Sequence, residues 1–240
     1  MDNVSINNYL CLPIKTDVQK LYADLQICLK VQWKEHFNTN DYAGSWTVIA
    51  LRSQTGETED ILAHGSDIAF KNTSLLKECS YINILLAQIL FEKETVRLLR
   101  LQPGSVVKKH RDRGLGYQFG SFRLHIPIVT DAAVAFMVGG KNVSMKKGEC
   151  WYADFDLPHS VCNNSTQDRI HLVIDGKRNT WTDELFAKAG YDFEAEKCRQ
   201  DYTVETKKQM IESLRDMKTD AAIEMIKKLE LEIMNAPKQK

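Results

Sequence analysis

Between Thr95 and Asp175 the chain breaks into short runs with a two-residue rhythm: TVRLLRLQ, SVVKKHRD, SFRLHIPIVT, AVAFMVGG, KNVSM, ECWYADF, HSVCN and RIHLVID. Gly, Pro, Asn or Asp stands between many of them. Successive residues of a strand face opposite sides, so closely spaced runs of this kind predict a β-sandwich or small barrel rather than alternating βαβ units. Upstream, DYAGSWTVIALRS reads as a turn feeding a further strand. Helices flank this core. Thr16-Asp-Val-Gln19 fits a capping box for a helix with Val18, Leu21, Tyr22, Leu25 and Leu29 at helical spacing. SYINILLAQILFEKE reads as a second helix, apolar over most of its surface, and three more helices are predicted over 183–189, 204–217 and 221–234. The expectation is one mainly β domain with flanking helices over 1–240: a helical and β flank to residue 94, a β core over 95–176 and C-terminal helices from 177.

With 240 residues and 43% hydrophobic content, the chain can bury a sizeable core. Its 32 acidic residues balance 32 basic ones, so no overall field favours nucleic acid. No run approaches the roughly 20 apolar residues of a membrane span, and the first residues lack the pattern of a signal peptide. Six scattered cysteines (11, 28, 79, 150, 162 and 198) form no CxxC pair, which predicts free thiols in a reducing cytoplasm.

Residues 110–112, His-Arg-Asp, match the catalytic tripeptide of protein kinases. A kinase also needs a Gly-rich loop upstream, an Asn shortly after the Asp, and a DFG further on. No GxGxxG precedes His110, Gln118 and Phe119 stand where the Asn would be sought, and Asp154-Phe155 is followed by Asp156. The kinase reading is excluded.

His110 and Asp112 would project from one face of a strand extended as far as Asp112. His159, between WYADFDLP and SVCN, supplies a third ligand. Two His and one carboxylate on one face of an octahedron form the facial triad of non-haem Fe(II) oxygenases, with three positions left open. Such spacing also arises by chance, as a surface His beside a turn Asp. Two features favour the metal. Arg169 shares a strand face with His171 and Val173, and a guanidinium turned inward is costly unless it meets an anion. Arg123 and His125 likewise share a face of SFRLHIPI. Two strands thus place polar groups where a core would want Val, as a pocket for a dianion beside a metal requires.

HRD, RLHIPI, GECWYAD, LPHSVCN and RIHLVID, in this order, resemble the aspartyl/asparaginyl β-hydroxylase family of Fe(II)/2-oxoglutarate dioxygenases. With an Asp ligand, the sequence is most similar to the bacterial proline cis-4-hydroxylases within it. The resemblance runs from about Tyr42 to Asp175 and weakens in the helical tail. It implies a double-stranded β-helix (jelly-roll, cupin-like) core. It further implies Fe(II) on His110, Asp112 and His159, 2-oxoglutarate held by Arg169 with His125 near its metal end, and Arg123 facing the substrate. The implied reaction joins O2 and 2-oxoglutarate to give succinate, CO2 and a hydroxyl group on an unactivated carbon of a small molecule, a free amino acid such as proline or a relative. Two alternatives stay open: hydroxylation of Asp or Asn side chains in a peptide or protein, and a β-barrel that binds a metal and a small acid without catalysis.

Other groups have plainer expectations. His36 and His64 read as surface residues, His171 as a supporting or core histidine, and Cys150 and Cys162 as small core residues. Trp151 and Tyr152 read as core aromatics or pocket lining. Of Arg97 and Arg100, on opposite strand faces, at most one points inward. RGLGYQFGS reads as a lid or a long hairpin loop, and the C-terminal helices either pack on the core or form an oligomer.

Overall fold

The computed structural model describes residues 7–62, 69–200, 204–215, 217 and 219–234. It forms two compact units, Met1–Asp192 and Phe193–Lys240. The first unit begins with β1 (Tyr9–Leu12), α1 (Val18–Cys28), β2 (Lys34–Glu35), β3 (Tyr42–Ala43), β4 (Trp46–Ser53), β5 (Lys71–Asn72), α2 (Ser74–Glu78) and α3 (Ser80–Gln88). The β core follows as β6 (Lys93–Leu101), β7 (Val106–His110), β8 (Ser121–Val129), β9 (Val134–Val138), β10 (Lys141–Asn142), β11 (Cys150–Ala153), β12 (His159–Asn163) and β13 (Arg169–Lys177), closed by α4 (Thr180–Lys188).

Two antiparallel sheets result. The larger runs β1-β11-β8-β13-β6-β4-β2, with β5 on β4, and the smaller runs β10-β9-β12-β7-β3. From β6 onward the chain passes back and forth between them, β6, β8, β11 and β13 in the larger and β7, β9, β10 and β12 in the smaller. This winding is a double-stranded β-helix, an open two-sheet jelly roll and not a closed barrel. Alternation does the sorting, as the sequence implies. Val48, Leu99, Leu101, Val107, Phe136, Val138, Val161 and Val173 form one buried cluster. The opposite set (Val96, Leu98, Leu124, Ile126, Leu172 and Ile174) is also buried, and α1 and α2 pack on β8 and β4. A fully buried Leu stabilises by roughly 1.5–3 kcal/mol, so two covered faces are a strong determinant of register.

The helices depart from expectation in detail. The cap of α1 is Asp17, which accepts from the N–H groups of Gln19 and Lys20, while the Thr16 hydroxyl donates to the Gly148 carbonyl. The buried stripe is Leu21, Asp24, Leu25 and Cys28, leaving Tyr22 and Leu29 exposed. α3 ends at Gln88 and buries only Ile82, Leu85 and Leu86, because Lys93 and Glu94 already belong to β6. Five described cysteines (11, 28, 79, 150 and 162) are free thiols, and Cys150 is fully buried.

The Gly-rich segment 113–121 is anchored rather than loose. Tyr117 is fully buried, stacked on Phe186 of α4 at 3.7 Å, and its hydroxyl lies 2.9 Å from Thr182 Oγ1 and 2.7 Å from Asp183. Phe122 and Tyr152 complete the cluster, so Tyr152 is a core aromatic. In the second unit, α5 (Phe193–Gln200) precedes α6 (Val204–Arg215) and α7 (Asp220–Met234), which pack on each other around Ile211, Ala222 and Leu229. No described helix is long and apolar enough to cross a membrane. His64 lies outside the described residues.

Phe186→Ala should lower stability by about 3–5 kcal/mol, the range for a deleted core aromatic. Urea unfolding checks this; a loss under about 1 kcal/mol would mean the cluster does not anchor the segment.

Candidate metal centre and its cavity

Among the described residues, one group can converge on a metal. Single ligand atoms of His110, Asp112 and His159 all lie within 4.8 Å of one another. The sheet sets this spacing, because His110 at the end of β7 is the register partner of His159 at the start of β12. Their rings stand 4.2 Å apart. Asp112 lies just past the strand, its N–H donating to the Phe155 carbonyl at 3.0 Å. The turn, and not an extended strand, therefore brings it beside His110, with Oδ1 3.7 Å from His110 Nε2.

Backbone carbonyls select the tautomers. His110 Nδ1 is 2.7 Å from the Lys108 carbonyl and His159 Nδ1 is 3.0 Å from that of Leu157. A carbonyl only accepts, so each Nδ1 carries the proton and each Nε2 keeps its lone pair for a metal. Burial lowers the pKa of His159, which favours the neutral, ligating form. Asp112 is oriented by Arg123 Nη1, 2.8 Å from Oδ2, which leaves Oδ1 turned to the histidines. The donor set fits a divalent ion with open positions.

The centre lies in a cavity of about 410 Å³, within the 300–1,000 Å³ of typical small-molecule sites. Its floor is a buried charge network. Asp175 accepts from Arg97 Nη2 (2.7 Å), Arg123 Nε (2.6 Å) and Nη2 (3.2 Å), and the Thr95 hydroxyl (2.6 Å). Burial alone would raise the Asp175 pKa; Arg123 and Arg97 overcome it and hold the carboxyl well below its usual range. Arg123 still has one uncommitted N–H on each terminal nitrogen. Of the two arginines weighed on β6, Arg97 enters the cavity and Arg100 pairs with Asp168 at 2.6 Å.

Arg169, 4% exposed, also lines the cavity but meets no carboxylate among the described residues. One Nη donates to His171 Nδ1 at 3.1 Å, and the guanidinium lies 5.6 Å from the Phe136 ring centre. Desolvation pushes its pKa down to about 9. His125 is stacked with Phe155 at 5.2 Å, and the Nε2 atoms of His125 and His171 are buried without a partner. An unanswered guanidinium beside orphaned ring nitrogens is a receptor for a small anion.

His36 corrects the sequence expectation. It is buried, stacked on Trp46 at 3.6 Å, and lines the cavity, and burial with Arg97 and Arg123 pushes its pKa down to about 4. Sequence reasoning also missed Asp175, whose only signal is an acid closing an apolar strand.

A family model described as Aspartyl/Asparaginyl beta-hydroxylase matches residues 13–179. The chain belongs to the aspartyl/asparaginyl β-hydroxylase family. Among curated members, the L-proline cis-4-hydroxylase of Rhizobium meliloti (strain 1021) is 29% identical over 166 residues, which is 68% of this chain and 58% of that enzyme. The chain thus spans less than two thirds of that relative. Solved structures with a similar outline include a 2OG-Fe(II) oxygenase from Burkholderia pseudomallei, 11% identical over 72% of this chain and 86% of that one, with a TM-score of 0.49. Another is HygX from Streptomyces hygroscopicus, with nickel and 2-oxoglutarate bound, 8% identical over 73% and 84%, also at 0.49.

Removing one member of a buried ion pair typically destabilises by about 3–5 kcal/mol, so Asp175→Asn should do so near pH 7. A depressed carboxylate contributes stability above its unfolded pKa and loses it as pH falls toward the folded value. The gap between wild type and variant should therefore narrow below about pH 4 in urea titrations. A gap independent of pH would show that the Asp175 charge is not what stabilises.

Proposed function

We propose that this protein is an Fe(II)- and 2-oxoglutarate-dependent dioxygenase that hydroxylates an unactivated C–H bond of a free amino acid. The observation that carries the reading is the convergence of two histidine Nε2 lone pairs and one carboxylate oxygen in the cavity that holds the unanswered Arg169. His110, Asp112 and His159 would hold the metal. Three protein ligands leave positions for a cosubstrate and O2. Bound there, iron supplies the redox chemistry by which O2 and 2-oxoglutarate yield succinate, CO2 and a hydroxylated product.

The chain's own residues position and shield. Arg169 grips the distal carboxylate of 2-oxoglutarate, where a low-dielectric site strengthens charge-assisted hydrogen bonds. His125, neutral because burial holds its pKa well below the usual range, packs near the metal-bound end. Arg123 holds Asp112 and offers its remaining N–H groups to the substrate carboxylate. Phe136, Phe155, Leu115 and Val161 line the cavity with apolar surface and exclude water from the reacting carbon.

The test is succinate formation by purified protein with Fe(II), ascorbate and 2-oxoglutarate, against a panel of free L-amino acids that includes proline and pipecolate. Stimulation by one member is expected. Asp112→Ala should cut turnover by at least about a hundredfold, the upper end of what loss of a supporting partner alone causes. Arg169→Ala should weaken 2-oxoglutarate binding about a hundredfold, read as the thermal shift the ligand produces. Full activity of Asp112→Ala would sink the ligand assignment.

A further inference from the structure

Arg169 is not the only buried charge in the cavity that lacks a counterpart. Glu94, 8% exposed, lines the same cavity. Among the described residues it makes no hydrogen bond and no ion pair. Lys177 favours its charged form, but the Lys177 ammonium is 3.1 Å from Glu92. Burial, and then Asp175, push the Glu94 carboxyl above its usual range.

A slip in the sheet places it there. Ile174 of β13 opposes Val96 of β6, but Gly176 opposes Lys93, so Asp175 faces two residues, Glu94 and Thr95. Two residues opposite one is a β-bulge, a device that re-aims a side chain at the edge of a site. A regular ladder would send Glu94 and Thr95 to opposite faces; here both line the cavity. The remaining acids of the cavity have partners, and the half-buried Asp41 accepts from the side-chain amide of Asn38. Asp175 is saturated by Arg97, Arg123 and Thr95, and Asp112 is held by Arg123 beside the histidines.

We infer that Glu94 is a specificity-determining residue that binds the ammonium group of a free amino-acid substrate. The inference rests on the dioxygenase reading and deepens it. A zwitterion supplies what the cavity lacks: a cation for Glu94, and a carboxylate for the uncommitted N–H groups of Arg123. A protonated secondary amine, with two N–H donors on one nitrogen, meets the same need. An Asp or Asn side chain within a peptide carries an uncharged backbone amide at the corresponding place and leaves Glu94 buried and unmatched. Glu94 thereby separates free amino acids from peptides within one reaction class.

The experiment measures 2-oxoglutarate turnover with each member of a panel of free L-amino acids, proline included, and with the N-acetyl form of each. Glu94→Gln, which keeps the shape and removes the charge, is assayed in parallel, and the 2-oxoglutarate-dependent thermal shift reports that the variant is folded. Only free amines should stimulate wild type. Glu94→Gln should raise KM for the stimulating amino acid by about tenfold or more, with a smaller change in kcat, as expected for loss of a charge-assisted contact made in the bound state. An unchanged KM in the folded variant, or equal stimulation by N-acetyl forms, overturns the assignment. No stimulation by any free amino acid, with slow 2-oxoglutarate consumption intact, also overturns it while leaving the dioxygenase reading in place. No 2-oxoglutarate consumption and no thermal shift in wild type would instead remove the reading on which it rests.

Discussion

The site depends on one buried carboxylate. Asp175 pairs with both Arg97 and Arg123 in the interior of the jelly roll, and the second of these orients Asp112 beside the two histidines. Burying a guanidinium without an anion is costly, and this shared carboxylate offsets that cost for both arginines. The arrangement couples the fold to the chemistry. The cluster that makes a polar cavity tolerable inside an apolar sandwich also fixes the free oxygen of Asp112 beside the two histidines. Because Thr95 adds its hydroxyl to the same carboxylate, three strands (β6, β8 and β13) are tied at one point.

The larger features were legible in the sequence because they depend on local periodicity. Two-residue alternation along RLHIPI and RIHLVID predicts both the sandwich and the inward turn of Arg123, His125 and Arg169, since a strand cannot bury one face without committing the other. The pairing of His110 with His159 was legible only as a motif, since it needs the register between β7 and β12, and register is a long-range property. What failed to show has the same origin. His36 sits among polar neighbours in sequence, yet a stack on Trp46, ten residues away, buries it. Asp17 rather than Thr16 caps α1 because Gly148, far along the chain, takes the Thr16 hydroxyl. Glu94 reads as the polar end of an apolar helix until the bulge opposite Asp175 is seen.

The histidines divide by what their ring nitrogens face. His110 and His159 each give a proton to a carbonyl and turn a lone pair inward, a state that needs no change on metal binding. His125 and His171 keep buried Nε2 atoms with no hydrogen-bond partner among the described residues. A buried polar atom with no partner is destabilising, and it is tolerated where a ligand completes it. The same holds for the Arg169 guanidinium. Their cost falls on the unliganded state, so a binding anion recovers stability and its effect should be visible as stabilisation of the fold.

On the proposed reading, the polarity of the cavity also orders its occupants. Arg169 stands with His171 and Phe136, and Glu94 stands on the bulge by Asp175. An anion of either ligand is attracted to Arg169, but only a molecule that also brings a cation gains at Glu94. 2-Oxoglutarate, a dianion, is repelled there by Glu94, whereas an amino acid is matched. Two unanswered charges of opposite sign thus do more than bind. Glu94 keeps the dianion from the place of the zwitterion, so the cosubstrate and the substrate can share one cavity without exchanging places.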